Sequence, residues 1–498
     1  MRLTLISPNV VMQKGDFSGS GIPYMPITMA YAASYLKEKG YDIKVIDSFG
    51  NNPVQIISKN NFYYQGQTPE QIVNLVYDDT EAILIFAERL VAHSSLVEII
   101  KNITSRFSCP VVLVENSQAV TSYSLLKLNG ELSSYGVKGI VLNGDGKRIE
   151  NMLRILKSPN NLKDDMDGLI LFGENNLIRP IKDYFENLDS YPFPAWDLFN
   201  LKHYWNLGYS HAPLSSKKYL PLLTSRGCPL KCKFCVTPGL NNGVWRKRSA
   251  KNVVDEIEFS IKRYGVKEFH LEDLNPTVDK KRMVEISQEI IKRNLNISWK
   301  IGSGTKVETL DENTIINMAK AGCSYISISP ESGSKRVLDL MNKYFKHDYA
   351  LKMVRSMRKN NITVQACFVL GFPGETEEDL AKTKQYIHKL VKAGVCEIAL
   401  FIITPAPGSM LFKSDFKGYG SISQLTFTPS WRKDFDYLTK KRRELYMSFF
   451  WWNLFYNPSN LIRILRGLVT RNFYTKIDMT LYRYFKIKRL LWGSKNHD

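Results

Sequence analysis

Short apolar runs alternate with longer amphipathic stretches along most of this chain, and that alternation limits the fold more than any other feature. From about residue 218 the runs 219–224, 268–271, 298–302, 325–328, 363–370 and 397–402 are separated by helical patterns such as 251–264, 280–294 and 377–393. Six strand and helix units in a row predict a partial parallel barrel with its chemistry on the loops after the strand C-termini. Earlier runs at 3–7, 41–47, 82–87, 110–115 and 139–143, with a helix over 28–39, predict a doubly wound parallel sheet that binds ligands at its carboxyl edge. The expected fold class is α/β. A Rossmann-like sheet occupies 1–154, a linker 155–217, a partial (β/α)6 TIM-type barrel 218–430, and a basic aromatic helical segment 431–498.

The length of 498 residues exceeds one ordinary core at about 150 residues per domain. Seven cysteines do not make a disulfide scaffold, and residues 1–9 lack the apolar run of a secretory signal, so a reducing cytoplasmic compartment is expected. No run of about 18 apolar residues occurs, the nearest approach being 445–462, which lacks charges but contains Asn453, Asn457, Pro458, Ser459 and Asn460, so a spanning helix is not expected. The net charge of +20 calls for an anionic partner, and half of the excess lies in residues 431–498, with fifteen Lys and Arg against five Asp and Glu.

Directly after the first barrel strand stands Thr224-Ser-Arg-Gly-Cys-Pro-Leu-Lys-Cys-Lys-Phe-Cys235, a C-x3-C-x2-C run. Structural zinc wants four ligands, and no fourth cysteine or histidine lies nearby, His211 being the closest candidate upstream. Three thiolates suit a four-iron cluster whose fourth iron stays open to a small molecule. Zinc completed from a distant residue is the competing reading.

Cys228, Cys232 and Cys235, with Phe234 before the last cysteine and a strand before the run, resemble the signature of the radical S-adenosylmethionine superfamily. Further segments fall after the other predicted strands: Glu272-Asp273, Ser329-Pro-Glu-Ser-Gly-Ser334, Gly371-Phe-Pro-Gly-Glu-Thr376 and Thr404-Pro-Ala-Pro-Gly-Ser409. Together they resemble the subgroup that joins a cobalamin-binding-type domain to a radical barrel. The resemblance implies a [4Fe-4S] cluster on the three cysteines that chelates S-adenosylmethionine and cleaves it reductively to a 5′-deoxyadenosyl radical. It implies a low-potential electron donor such as ferredoxin or flavodoxin. Cofactor contacts are expected from Phe234, Glu272, Glu331, Ser332, Gly371 and Gly374, with Gly408 as a further close-approach position. Competing readings make Glu272 and Asp273 a solvated loop pair, and Gly371 and Gly374 a tight turn before the helix near Glu377. Cys109, Cys323, Cys367 and Cys396 are scattered and read as inert, so a single cluster is expected. Methylthiotransferases of similar architecture carry three more N-terminal cysteines, and only Cys109 is available here.

Leu5-Ile-Ser-Pro8, the helix leading into Val45-Ile-Asp47, and Gly144-Asp-Gly146 resemble cobalamin domains, but residues 1–92 contain no histidine. Bound cobalamin would therefore lack a histidine lower ligand. A domain retained for packing or substrate binding is the alternative.

The aromatic stretch 445–456 and the Arg-studded run 461–469 suggest peripheral membrane contact. The alternatives are a helical subdomain packed on the barrel and, less favoured, RNA binding. The expected function is radical chemistry at an unactivated carbon of a small or lipid-like molecule, led by cobalamin-dependent methyl transfer. Cobalamin-independent cyclisation or rearrangement is the second reading, and a non-catalytic iron-sulfur protein binding RNA or membrane is the third.

Overall fold

The computed structural model describes residues 1–494 except 18, 159–165, 175, 183–186 and 414–415. Lys495 and Asp498, counted in the basic segment above, lie outside the described residues. The first five long apolar runs form parallel strands in the order Asp42–Asp47, Arg2–Ser7, Ala82–Ala87, Val111–Glu115 and Gly139–Val141. The order reverses between Arg2–Ser7 and Ala82–Ala87, and a crevice opens there beyond the carboxyl ends of the two strands. Every residue of Ala82–Ala87 and Val111–Glu115 is buried, as continuous apolar runs require when helices cover both faces. A small antiparallel sheet of Val10–Gln13, Phe62–Gln65 and Ile56–Lys59 stands beside this domain.

The segment expected to be a linker corrects that expectation. Leu169–Leu171 pairs antiparallel with Gly139–Val141, and Leu177–Ile178 pairs antiparallel with Leu169–Leu171, so part of 155–217 extends the first sheet. A helix, Leu201–Leu207, follows and buries Tyr204 and Trp205.

Six parallel strands then run in sequence order: Tyr219–Leu222, Glu268–Leu271, Ser298–Thr305, Cys323–Glu331, Thr363–Leu370 and Glu397–Ile402. The first and last do not pair, which leaves an open barrel. Side chains alternate as a strand demands. Val364, Ala366, Phe368 and Leu370 join the outer core, whereas Gln365, Cys367 and Val369 line the inner cavity.

Three helices, Phe435–Tyr456, Ser459–Thr470 and Lys476–Ser494, complete the chain. They do not stand apart from the barrel. The edge strand Glu397–Ile402 donates its Leu400 amide to Tyr446 Oη at 3.1 Å, and Asn453 Nδ2 donates to the Cys396 carbonyl at 3.3 Å. The first of these helices thus satisfies polar backbone that the open edge would leave unpaired.

Candidate active site

The cysteine run leaves Ser225–Gly227, which pairs antiparallel with Trp245–Lys247, so the loop is closed at its base. Three hydrogen bonds fix its position. Lys233 N donates to the Met341 carbonyl at 2.9 Å, Asn342 Nδ2 to the Lys231 carbonyl at 2.9 Å, and Met410 N to the Lys233 carbonyl at 3.1 Å. The N-terminal domain supplies a fourth hold: Gln118 Oε1 accepts the Gly227 amide at 3.1 Å. Gly227 has φ +80°, and a Cβ there would meet the Val244 carbonyl oxygen at 2.1 Å, so only glycine fits beside the first ligand candidate.

Cys228, Cys232 and Cys235 all line one cavity. Burial pushes the Cys228 thiol up to about 11 and the Cys232 thiol up to about 12. A metal centre is what would hold these sulfurs as thiolates. Among the described residues no three His, Cys, Asp or Glu side chains stand as ligands to one ion. A four-iron cluster takes each thiolate on a separate iron and so suits sulfurs spread along one loop. Cys235 Sγ accepts the Thr237 amide at 3.5 Å.

Glu331 ends the fourth barrel strand and also lines the cavity, with φ +63°, a left-handed conformation rare for a side chain of this size. Its Oε1 accepts from Lys343 Nζ at 3.1 Å. Burial opposes the Lys343 charge, but Glu331 and then Cys232 outweigh it and raise the ammonium above its usual range. Phe234 lines the cavity beside these residues.

The other expected contacts lie behind this surface. Glu272 is mostly covered and binds His211 Nδ1 at 2.9 Å, and it is His211 that faces the cavity. Asp273 is fully buried and accepts the Thr224 amide and the Thr224 and Ser225 hydroxyls, tying the second strand to the cysteine loop. Neither acid is the solvated loop residue of the competing reading. Ser332 bonds Thr383 and the Ser334 amide. Gly371 and Gly374 form the turn before Glu377–Ala393. There Gly371 N donates to Glu375 Oε2 at 2.6 Å, and the Gly374 carbonyl accepts from Arg336 at 2.6 Å. None of Ser332, Gly371 and Gly374 borders the cavity.

The cavity, about 580 Å³, does not stop at the barrel. Its wall continues over Ser7, Pro8 and Asn9 after the first strand of the N-terminal sheet, and Glu88 and Arg89 after the third, at the point where strand order reverses. Buried polar atoms there lack partners among the described residues: Glu88 Oε1 and Asp16 Oδ2. Orphaned acceptors on a cavity wall suit a ligand with hydrogen-bond donors. His93 is no ligand candidate, since it is buried away from the cavity between Tyr123 Oη at 3.1 Å and Glu131 Oε1 at 3.3 Å. The wall fits a cobalamin held without imidazole from this domain.

Several cavity residues have no motif that names them. His211 packs against Tyr24 with ring centroids 4.4 Å apart and the planes tilted by 35°, and burial pushes it down to about 4, so it is neutral near pH 7. Lys476 and Arg483 come from the last helix, and Cys367, expected to be inert, faces the cavity.

Residues 222–387 match the family described as the Radical SAM superfamily. A protein from Pyrococcus horikoshii named as an uncharacterized methyltransferase, PH0819, is 27% identical over 414 residues, covering 82% of this chain and 81% of its own. An anaerobic magnesium-protoporphyrin IX monomethyl ester cyclase from Rubrivivax gelatinosus is 25% identical over 450 residues, covering 85% and 73%. Among solved structures, the radical S-adenosylmethionine methyltransferase TsrM from Kitasatospora setae, with cobalamin and a [4Fe-4S] cluster bound, superposes with a TM-score of 0.62 at 16% identity. That superposition covers 82% of this chain and 73% of TsrM, and it shows a shared fold.

Proposed function

Because this chain carries a radical S-adenosylmethionine domain over residues 222–387, we propose that it is a cobalamin-dependent methyltransferase acting at an unactivated carbon. One observation carries the reading: a single cavity joins the three cysteines of the barrel to the switch point of the N-terminal sheet. Two cofactors with different chemistry can face one substrate only if their sites share a space. When bound, an open-iron cluster supplies the electron that cleaves S-adenosylmethionine, and a corrinoid supplies a carrier for the methyl group.

The residues of the chain have separate tasks. Cys228, Cys232 and Cys235 would hold the cluster. Glu331 keeps Oε2 for an ammonium or ribose hydroxyl of S-adenosylmethionine while Lys343 occupies Oε1, and Phe234 would shield the site from water. The test is anaerobic reconstitution with iron, sulfide and hydroxocobalamin under reductant. Methyl transfer predicts stoichiometric corrinoid and S-adenosylhomocysteine beside 5′-deoxyadenosine. Formation of 5′-deoxyadenosine alone, with no corrinoid retained, would favour the reading of cobalamin-independent cyclisation or rearrangement.

The C-terminal segment also carries a surface suited to anionic lipid. No helix among the described residues is long and apolar enough to cross a membrane. Yet Trp451 is 60% exposed, Phe455 78% and Val469 85%, and no acidic residue occurs between Glu444 and Asp478. Aromatic and aliphatic side chains beside Arg463, Arg466 and Arg471 favour a bilayer headgroup region, and peripheral docking is part of the proposed function.

A further inference from the structure

The last helix begins where the chain re-enters the cavity. Lys476, Thr480 and Arg483 recur at helical spacing and all line it, so one face of this helix forms a cavity wall. Lys476 Nζ donates to the Gly302 carbonyl at 2.8 Å and stands 3.5 Å from His211 Nε2. Among the described residues no carboxylate lies within ion-pair distance of it. Glu397 spends Oε2 on the Lys476 backbone amide and on Tyr325 Oη, each at 3.0 Å. Arg483 is 3% exposed, donates to the Gly21 and Ser20 carbonyls, and leaves Nε unpartnered. Arg442, from the preceding helical layer, reaches the Phe427 carbonyl and Thr428 Oγ1 and likewise meets no carboxylate among the described residues.

Three cations on one cavity wall without carboxylate partners are costly unless an anion joins them. Burial pushes the Lys476 ammonium and the Arg483 guanidinium below their usual values, and the carboxylates that face them, Glu397 and Glu272 for Lys476 and Asp16 for Arg483, offset that only in part, so a bound anion would stabilise both charges. Burial pushes Glu397 up to about 7 and Asp47 up to about 6, and it raises Glu88 as well. The same wall carries an apolar stretch of Ile398, Leu400, Phe401, Phe427 and Leu481.

We propose that Lys476, supported by Arg442 and Arg483, reads the anionic head of an amphiphilic substrate, a carboxylate or phosphate carried on an apolar body. The inference rests on the proposed reaction only for calling that ligand a substrate. The C-terminal helices are then a specificity element of the active site, not an appendage to it.

The test is calorimetric titration of the anaerobically reconstituted full chain with decanoate, decyl phosphate and decanol. Both anions, or whichever one the head pocket accepts, should bind at least about tenfold more tightly than the alcohol, a preference equivalent to about 1.4 kcal/mol. The ratio between the two anions tells carboxylate from phosphate. Lys476→Met should cut the preference to within about twofold, and Lys476→Arg should keep most of it. Anions that bind no better than decanol, or fail to bind, overturn the proposal. So does a preference that survives in a Lys476→Met protein whose circular dichroism matches wild type. Should that variant not fold, the wild-type comparison and Arg442→Gln, which should lower the preference, decide the matter. Because the readout is binding, its failure differs from failure of the reaction, which would show as absent S-adenosylmethionine cleavage.

Discussion

Lys343 Nζ and Glu331 Oε1 meet at 3.1 Å in a pair whose side chains are each less than a tenth exposed. The pair joins the strained end of the fourth barrel strand to the segment that holds the cysteine loop through Met341 and Asn342. Removing one partner of such a pair costs about 3–5 kcal/mol, because the other is left charged and buried. Lys343→Met should therefore lower the melting temperature and the iron content together. In the double variant with Glu331→Gln, stability should recover in part while S-adenosylmethionine binding should not. Calorimetry with iron analysis and titration of S-adenosylmethionine checks both statements.

A second buried contact links the two domains. Tyr31 of the first helix donates to Glu256 Oε2 at 2.7 Å, and Arg248 Nη1 meets the same carboxylate at 2.6 Å. Tyr31→Phe should weaken the interface by about 1–3 kcal/mol, the cost of removing a hydrogen bond to a charged group. Faster limited proteolysis between the domains, with cluster content retained, is the expected outcome.

Much of this organisation was legible in sequence, for a physical reason. Buried strands are marked by continuous or alternating apolar residues, so Ala82–Ala87, Thr363–Leu370 and Glu397–Ile402 stand where the runs lie, and so does Glu268–Leu271, whose Glu268 and His270 pair with each other in the interior. The fourth barrel strand extends to Glu331 past the expected end at 328, because Ser329 and Pro330 interrupt the apolar pattern exactly where the site begins. Leu169–Leu171 and Leu177–Ile178 are too short to carry a period. That the C-terminal helices reach the cavity is illegible for a different reason, although packing on the barrel is among the expected alternatives. Composition assigns Lys476 and Arg483 to solvent, and nothing local reveals that a cavity wall receives them.

Glu115 sets a pH dependence. It is buried, accepts the Leu125 amide at 2.8 Å and the Asn143 amide at 3.3 Å, and is pushed up to about 7 by burial. A carboxyl raised above its unfolded value of 4.5 favours the fold fully below that value. The benefit is lost as pH rises toward 7. Glu115→Gln should flatten the fall in stability between pH 5 and pH 8 by up to about 3 kcal/mol. Urea midpoints at the two pH values measure it.

The exposed C-terminal face predicts sedimentation with vesicles containing phosphatidylglycerol but not with neutral phosphatidylcholine vesicles. Trp451→Ser with Phe455→Ser should reduce the bound fraction several-fold, since both side chains are more than half exposed. Equal binding by wild type and variant would remove the membrane from the account.

The central claim is that the three cysteines of one loop hold the cluster that opens S-adenosylmethionine, and its most direct measurement is 5′-deoxyadenosine formed under strong reductant. Wild-type protein prepared without oxygen should contain about four irons per chain and release 5′-deoxyadenosine, while the Cys228→Ala, Cys232→Ala and Cys235→Ala variants should each lose both. Nucleoside release that persists in any of the three variants, or that is absent from iron-loaded wild type, would contradict the account.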